Sequence, residues 1–282
     1  MKQRLNAFAL TFRLPIIIWQ AAFFIVPLVF VVAMSFFVVR NFQMVETFEF
    51  ASWERMLSRN FVWSAYQYTM VMATASAVLA SLLAFPAAWY LAFRCSAQTR
   101  QVVILLLIIP FFTSYLVRTF SWYTILAESG VLNGAFGLVG LGPYRMLNTA
   151  FGTLTGYLTL VMPLVLILQT VTMANIDDRL IQAARNLGCS PLRTIWAVVL
   201  PAGKTGFVIA ALFAFILSFG DFVAPYYLGG SKPPTLPILI IDTTKAGMQW
   251  PRAAVVAVIM MLTLFTIAFA AIMFAYKKRT SR

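Results

Sequence analysis

Hydrophobic residues fall into six blocks along this 282-residue chain, and each block is long enough to cross a lipid bilayer as a helix. A spanning helix needs about 20 predominantly apolar residues. The blocks occupy residues 14–39, 65–93, 101–126, 149–174, 205–228 and 253–276. No linker or internal repeat separates them. The pattern therefore predicts an all-α integral membrane protein with six transmembrane helices in a single domain, residues 1–282.

The longest polar stretch that also carries helix signals is residues 175–201, between the fourth and fifth blocks. Asn175 with Asp178 three residues later indicates a helix N-cap. Apolar residues then recur at helical spacing, at Leu180, Ile181, Ala184 and Leu187. Gly188 suits the position after a helix end, and Ser190-Pro191 is typical of a second helix start. We therefore predict two short amphipathic helices bent about a glycine.

Three smaller features refine this picture. The loop 40–64 is rich in aromatic residues typical of a membrane interface, at Trp53, Phe61 and Trp63. The apolar run 236–241 is too short to span a bilayer and predicts a small external or re-entrant element. Gly152 and Gly156 have the spacing that lets a neighbouring helix approach closely, although two glycines tolerated on a lipid-facing helix give the same pattern.

Charge adds an orientation. Hydrophobic residues make up 62% of the chain and charged residues 10%, against roughly 25% charged residues in an ordinary soluble domain. The net charge of +13 comes from basic residues at the ends of the blocks, so it indicates membrane topology and no nucleic-acid partner. With the N-terminus inside, thirteen of the 21 Lys and Arg residues face the cytoplasm and seven face outwards. Both termini and the 175–201 segment are therefore predicted to be cytoplasmic.

Several kinds of chemistry are excluded. The chain has no histidine, which removes histidine-based triads, metal sites and pH switches. Gly203-Lys204-Thr205 ends like a phosphate-binding loop, but Val198 stands where that loop requires its first glycine. We therefore expect a chain that binds neither ATP nor a metal and is not an enzyme. Its two cysteines, Cys95 and Cys189, fall in predicted cytoplasmic loops and are not expected to form a disulfide.

Two charged residues fall inside the hydrophobic blocks, and such residues are often functional. Asp221 lies about sixteen residues into the fifth block, and Arg118 lies at a similar depth in the third. Either they pair with each other or snorkel to the outer interface, or they border a water-filled pathway. Aromatic residues close to them in sequence offer faces for a cation or form an interfacial belt, at Trp122, Tyr123, Phe219, Tyr226 and Tyr227.

The 175–201 segment resembles the cytoplasmic signature of ABC importer permeases. The Gln-Ala-Ala sequence at 182–184, Gly188 and Leu200-Pro201 match that signature in spacing. Gln182 replaces the usual glutamate, and Val198 replaces an isoleucine. The resemblance implies a coupling helix that binds a groove of the ATPase subunit. It assigns the ATPase-coupling role to Gln182, Ala183, Ala184, Arg185, Gly188 and Pro191.

The resemblance extends over nearly the whole chain. Residues 109–133 and 218–230 and Trp250-Pro251 are similar to the polyamine (spermidine/putrescine) permease subfamily, in particular to the first of its two permease subunits. This implies the type I ABC importer fold in a bacterial inner membrane, with the coupling helix between the fourth and fifth transmembrane helices. The implied partners are membrane lipid, a second homologous permease, two ATPase subunits that hold ATP and Mg²⁺, and a periplasmic or extracellular solute-binding protein. The implied substrate pathway contains Asp221, Trp122, Tyr123, Phe219, Tyr226 and Arg118.

Other functions stay open at this point. An ABC importer permease for another small organic solute has the same coupling signature. A secondary transporter or channel needs no ATPase, but internal repeats and convincing deep ionisable residues are missing from the sequence. An intramembrane enzyme would have almost no catalytic groups to use. The sequence therefore favours an ATP-driven importer permease, with a polyamine as the predicted solute.

Overall fold

The computed structural model describes residues 7–41 and 43–277. The described part of the chain groups into two compact units. The first comprises the described residues up to Trp63 together with Leu239–Leu262, and the second comprises Ser64–Ile238 together with the described residues from Thr263 onwards. Helices dominate both units, as predicted.

The first unit begins with one helical run. It consists of α1 (Ala7–Gln20), a π-helical turn (Ala21–Ile25) and α2 (Val26–Met34). The predicted span 14–39 therefore ends five residues early. Strands β1 (Val38–Arg40) and β2 (Gln43–Val45) follow and pair antiparallel, with Val38 opposite Val45. The β-branched Val38-Val39 pair suits a strand as well as a helix, so hydropathy alone did not separate the two.

A short helix supports the hairpin. Helix α3 (Ala51–Leu57) lies within the loop predicted to pack at the interface. Ser52 Oγ donates to the carbonyl oxygen of Phe37 at 3.0 Å, and Trp53 Nε1 donates to Ser35 Oγ at 3.1 Å. These bonds connect α3 to the residues where the first helical run ends.

Three predicted spans are continuous helices. They are α4 (Asn60–Phe93), α8 (Ala150–Ala174) and α15 (Trp250–Tyr276). With Arg13–Met34, the described residues contain four helices long and apolar enough to cross a membrane, or six if each of two bent helix pairs counts as one span. The predicted apolar run 236–241 belongs to a ten-residue helix, α14 (Leu236–Lys245).

The third and fifth predicted spans are interrupted. Helices α5 (Ala97–Phe112) and α6 (Tyr115–Leu126) replace the continuous span 101–126, and α6 with α7 (Val131–Gly137) turns 89° away from α5. Helices α12 (Lys204–Gly220) and α13 (Val223–Tyr227) replace the span 205–228. Both breaks contain a residue in extended conformation, Thr113 and Asp221. Extended backbone cannot continue the helical hydrogen bonds, so each helix ends there.

Helix α8 forms the centre of the second unit and packs against α5, α6, α12 and α13. Its buried face includes Gly152, Gly156 and Tyr157. A Cβ added to Gly156 would fall 2.4 Å from Ala224 Cβ, and one on Gly152 would fall 2.5 Å from the carbonyl oxygen of Leu228. The two glycines therefore permit the close helix approach that their spacing indicated.

Candidate functional site

The predicted coupling segment contains two short helices, as its sequence indicated. Helix α9 (Asp178–Asn186) begins at the N-cap Asp177, whose side chain accepts a hydrogen bond from the amide of Arg179 at 2.9 Å. The predicted cap, Asn175, is wrong because that residue is still helical and ends α8, where its amide donates to the carbonyl oxygen of Val171. Asn175 and Asp177 are both suitable N-cap residues, and Asp177 is the one that caps α9.

Helix α9 is amphipathic. Ile181 and Ala184 are both buried, and Ile181 belongs to a cluster with Ala88, Ala92, Met173 and Val199, which includes residues near the ends of α4 and α8. Gln182, Ala183 and Arg185 are exposed. The buried face fixes α9 to two long helices, while the exposed face is available to a partner.

A glycine turn follows α9. Gly188 has a φ of +78°, its amide donates to the carbonyl oxygen of Arg185 at 2.9 Å, and the amide of Cys189 donates to that of Ala184 at 3.0 Å. This pair of bonds is a Schellman motif, which needs a residue in left-handed conformation after the helix end. Glycine adopts that conformation without strain, which explains its position here.

The second helical stretch starts at the predicted cap. Ser190 Oγ accepts a hydrogen bond from the amide of Arg193 at 3.3 Å, and Pro191 occupies the first helical position. The stretch continues as α10 (Pro191–Thr194), a π-helical turn (Ile195–Val199) and α11 (Leu200–Ala202), which meets α12 at 80°. The stretch from α9 to α11 is named the 178–202 segment below.

Large apolar side chains are exposed along the 178–202 segment. The exposed fractions are 85% for Leu187, 71% for Leu192 and 72% for Trp196. Large exposed apolar side chains that lie near one another in a cytoplasmic segment are typical of a protein interface. Pro191 is exposed in the same region.

Gln182 lies beside a small polar cavity. The cavity has a volume of about 180 Å³ and is lined by Trp89, Phe93, Arg94, Asp178, Ile181, Gln182 and Arg185. Gln182 thus shares the cavity with two arginines and one aspartate. A glutamate at this position would face those arginines, whereas the glutamine present provides only a neutral amide.

The second candidate site surrounds the break between α12 and α13. Asp221 is 8% exposed. Its Oδ1 accepts a hydrogen bond from the amide of Val223 at 3.1 Å, and its Oδ2 accepts one from the amide of Ala224 at 3.0 Å and one from Tyr115 Oη at 2.8 Å. Asp221 therefore caps α13 and connects it to α6.

Arg118 does not pair with Asp221. Its Nη1 donates to the carbonyl oxygen of Thr159 at 3.3 Å, and its guanidinium lies 5.8 Å from the centre of the Tyr115 ring. Among the described residues the ion pair is that between Arg40 and Glu49. Arg118 and Asp221 instead contact the same tyrosine.

The aromatic residues named from the sequence separate into two groups. Tyr123 is 47% exposed and Tyr226 is 48% exposed, while Trp122 is half-buried. Phe219 is fully buried and stacks on Phe215 at 5.4 Å. The structure therefore assigns Phe219 to the core and leaves two tyrosines accessible.

The second site also contains Phe120 and Tyr115. Tyr227 lies 5.0 Å from Tyr226 and 4.8 Å from Phe120, measured between ring centres. Phe120 and Tyr115 were not among the residues selected from the sequence. Tyr115 is the first residue of α6, so recognising the break after Thr113 is what would have indicated it.

Comparisons with known proteins identify the family. Residues 68–282 match the family described as binding-protein-dependent transport system inner membrane component. The inner membrane ABC transporter permease protein YdcU of Escherichia coli (strain K12) is 29% identical over 229 residues, covering 75% of this chain and 69% of that protein. The spermidine/putrescine transport system permease protein PotB of Haemophilus influenzae is 25% identical over 199 residues, covering 70% and 68%. The molybdenum transport system permease protein ModB of Azotobacter vinelandii is 25% identical over 210 residues, covering 73% and 91%.

A solved structure supports the fold. A bacterial ABC transporter involved in the import of the acidic polysaccharide alginate has a chain that superimposes with a TM-score of 0.72, at 16% identity, covering 97% of both chains. This likeness confirms the predicted type I importer fold. Together with the apolar spanning helices and the match over residues 68–282, it shows that the chain belongs to the family of inner membrane permease components of binding-protein-dependent ABC importers.

Proposed function

We propose that this permease pairs with a second homologous permease to form the translocation pathway, and that ATPase subunits bind its 178–202 segment. The supporting observation is the exposure of Leu187, Leu192 and Trp196 on a segment whose two helix starts are capped. We place the segment and both termini in the cytoplasm. Cytoplasmic loops are enriched in Lys and Arg, and this orientation gives most of the Lys and Arg residues outside the spans to that side. ATP and Mg²⁺ are bound by the partner ATPase subunits.

The 178–202 segment is connected to three long helices. Ile181 fixes α9 near the ends of α4 and α8, and α11 leads into α12 across Gly203. A rigid displacement of the segment therefore reaches three long helices of the second unit. ATP binds the closed ATPase dimer more tightly than the open one. ATP-driven closure of the dimer would therefore shift the permease from its inward-facing to its outward-facing state.

Replacing Trp196 with serine tests the docking surface. Ala197→Ser is the matched control, since Ala197 is also exposed but has no large apolar side chain. We expect Trp196→Ser to weaken co-purification of the ATPase subunits by about tenfold, the loss of one well-buried interface aromatic. Equal recovery of the ATPase with both variants would contradict the proposed docking surface.

For the solute, we propose a small cationic amine such as spermidine or putrescine. The relatives named spermidine/putrescine permease support this proposal, as do the exposed rings of Tyr123 on α6 and Tyr226 on α13. A protonated amine is attracted to the face of a tyrosine ring. Asp221 contributes by positioning, because its carboxylate holds α13 and α6 together.

Uptake of labelled putrescine by the assembled importer tests this assignment. We expect Tyr226→Ala and Asp221→Asn to reduce uptake, while Tyr144→Ala, which changes another exposed tyrosine, does not. ATP hydrolysis stimulated by the binding protein but unaffected by polyamines would instead indicate another small solute. That result is a real alternative, since relatives of similar identity are named for molybdenum transport.

A further inference from the structure

A cavity in the first unit collects three arginines. Its volume is about 280 Å³, and Arg55, Arg59 and Arg252 line it together with one carboxylate, Asp242. Three positive groups and one negative group leave a net charge of +2 in this cavity. Neither the coupling role nor the solute pathway uses these residues.

The three arginines have no ion-pair partner in the part of the chain that the structure describes, where the ion pair is Arg40–Glu49. Arg55 and Arg59 are exposed, and Arg252 is half-buried. Three positive charges that converge on a single carboxylate still repel one another. A bound anion would remove that repulsion, so the arrangement indicates an anionic ligand.

The cavity lies at the starts of two long helices. Arg59 and Phe61 flank the start of α4 at Asn60, and Gln249 and Arg252 flank the start of α15 at Trp250. Both helices are long and apolar enough to cross a membrane, so their first residues lie near the headgroups. Trp63 and Trp250, each about half-exposed, are the aromatic residues typical of that level.

The remaining walls of the cavity are apolar. They include Met56, Phe61 and Leu239, and the Arg59 guanidinium lies 5.8 Å from the centre of the Phe61 ring. A phosphate ion from solution gains nothing from such walls, whereas a phospholipid presents a phosphate next to hydrocarbon. The arginine fork matches phosphate oxygens in pairs.

We propose that this arginine cavity binds the phosphate of an anionic phospholipid headgroup. Arg55 and Arg59 contact the phosphate from the surface, and Arg252 contacts it from the start of α15. The apolar walls hold the first part of the acyl chains. The bound lipid joins α3 to the start of α15 within the first unit.

Lipid binding to the purified importer tests the proposal. The probe is phosphatidylglycerol, titrated into the detergent-solubilised complex, and bound lipid is counted by native mass spectrometry. We expect saturable binding that Arg55→Gln/Arg59→Gln weakens about tenfold or more, since two charge-assisted contacts are lost. The control removes two exposed positive charges that do not line the cavity, with Arg145→Gln/Lys232→Gln, and keeps the wild-type affinity.

Further measurements distinguish a phospholipid from a solution anion and from a protein partner. Phosphatidylcholine at equal concentration binds more weakly if the net charge of the headgroup matters. If inorganic phosphate displaces phosphatidylglycerol at comparable concentration, the ligand is a solution anion and the lipid proposal fails. Equal lipid binding by the cavity and control variants overturns the proposal.

If the cavity variant keeps its lipid but loses stimulation by the solute-binding protein, the arginines serve protein docking, and the proposal also fails. Arg59→Gln alone repeats the test if the double variant does not assemble.

Discussion

Gly188 offers the sharpest test of how the 178–202 segment works. Its φ of +78° supports the two hydrogen bonds that end α9 and direct the chain towards α10. A Cβ at this position would meet nothing within 4 Å. A larger side chain therefore causes no clash, and the cost of a substitution is backbone strain alone.

The magnitude follows from that strain. A residue with a Cβ in the left-handed conformation costs about 1–2 kcal/mol, with asparagine at the low end and β-branched residues at the high end. Leaving that conformation breaks two hydrogen bonds worth about 0.5–1.5 kcal/mol each. The two costs are similar, so Gly188→Val shifts a large fraction of molecules to a differently directed turn. Gly188→Asn largely keeps the native turn.

The assay measures ATP-driven uptake and ATPase recovery in the reconstituted importer. We expect both to fall in the order wild type, Gly188→Asn, Gly188→Ala, Gly188→Val. Gly140→Val is a matched control, because Gly140 has a φ of +74° and also meets nothing within 4 Å of an added Cβ. It introduces the same strain outside the segment and should leave coupling unchanged.

Two results would refute the reasoning. Wild-type coupling in Gly188→Val means that the direction of the turn does not matter for ATPase binding. An equal loss in Gly140→Val means that the defect reflects general destabilisation of the chain. Thermal unfolding of both variants shows whether their stabilities match before the comparison is made.

Three other predictions follow from the same structure. Asp221→Ala should lower the free energy of unfolding by about 1–3 kcal/mol, since it removes the acceptor of the first α13 amides and leaves the Tyr115 hydroxyl only the distant carbonyl oxygen of Gly156. Thermal unfolding in detergent measures this, and an unchanged midpoint contradicts it. Gly156→Val should destabilise the chain by about 1–3 kcal/mol because α8 and α13 touch there, whereas Gly137→Val, with nothing within 4 Å of an added Cβ, should not. In a cysteine-free background, an impermeant maleimide should label Arg145→Cys on intact cells and Asn186→Cys only after lysis; the reverse pattern would invert the proposed topology.

Local signals predicted the regular parts of the fold. Helices α8 and α15 agree with their blocks within three residues because no competing signal interrupts them. The Ser190-Pro191 start and the Gly188 end were also predictable, since a cap and a left-handed glycine act over a few residues. The β-hairpin was not predictable, because Val38-Val39 continues the hydrophobic pattern of the helix before it.

Long-range contacts explain what the sequence did not reveal about the second site. Tyr115 and Asp221 are 106 residues apart, and their hydrogen bond exists only because α6 and α13 both pack against α8. No local pattern predicts such a contact. Nor did hydropathy reveal the break after Phe112, because the residues on both sides remain apolar enough for a continuous span.

The two helix breaks explain why a carboxylate lies inside this chain at all. Irregular backbone is tolerated at membrane depth only when its polar groups find partners within the protein. Asp221 satisfies the first amides of α13 and accepts from Tyr115 at the start of α6, so one side chain stabilises one break and connects it to the other. Its position therefore has a structural cause before any solute is considered. The proposed amine pathway then depends on Tyr123 and Tyr226, whose exposed rings lie on the two short helices that this carboxylate holds together. A substitution at Asp221 should accordingly change stability and uptake together, whereas Tyr226→Ala should change uptake alone.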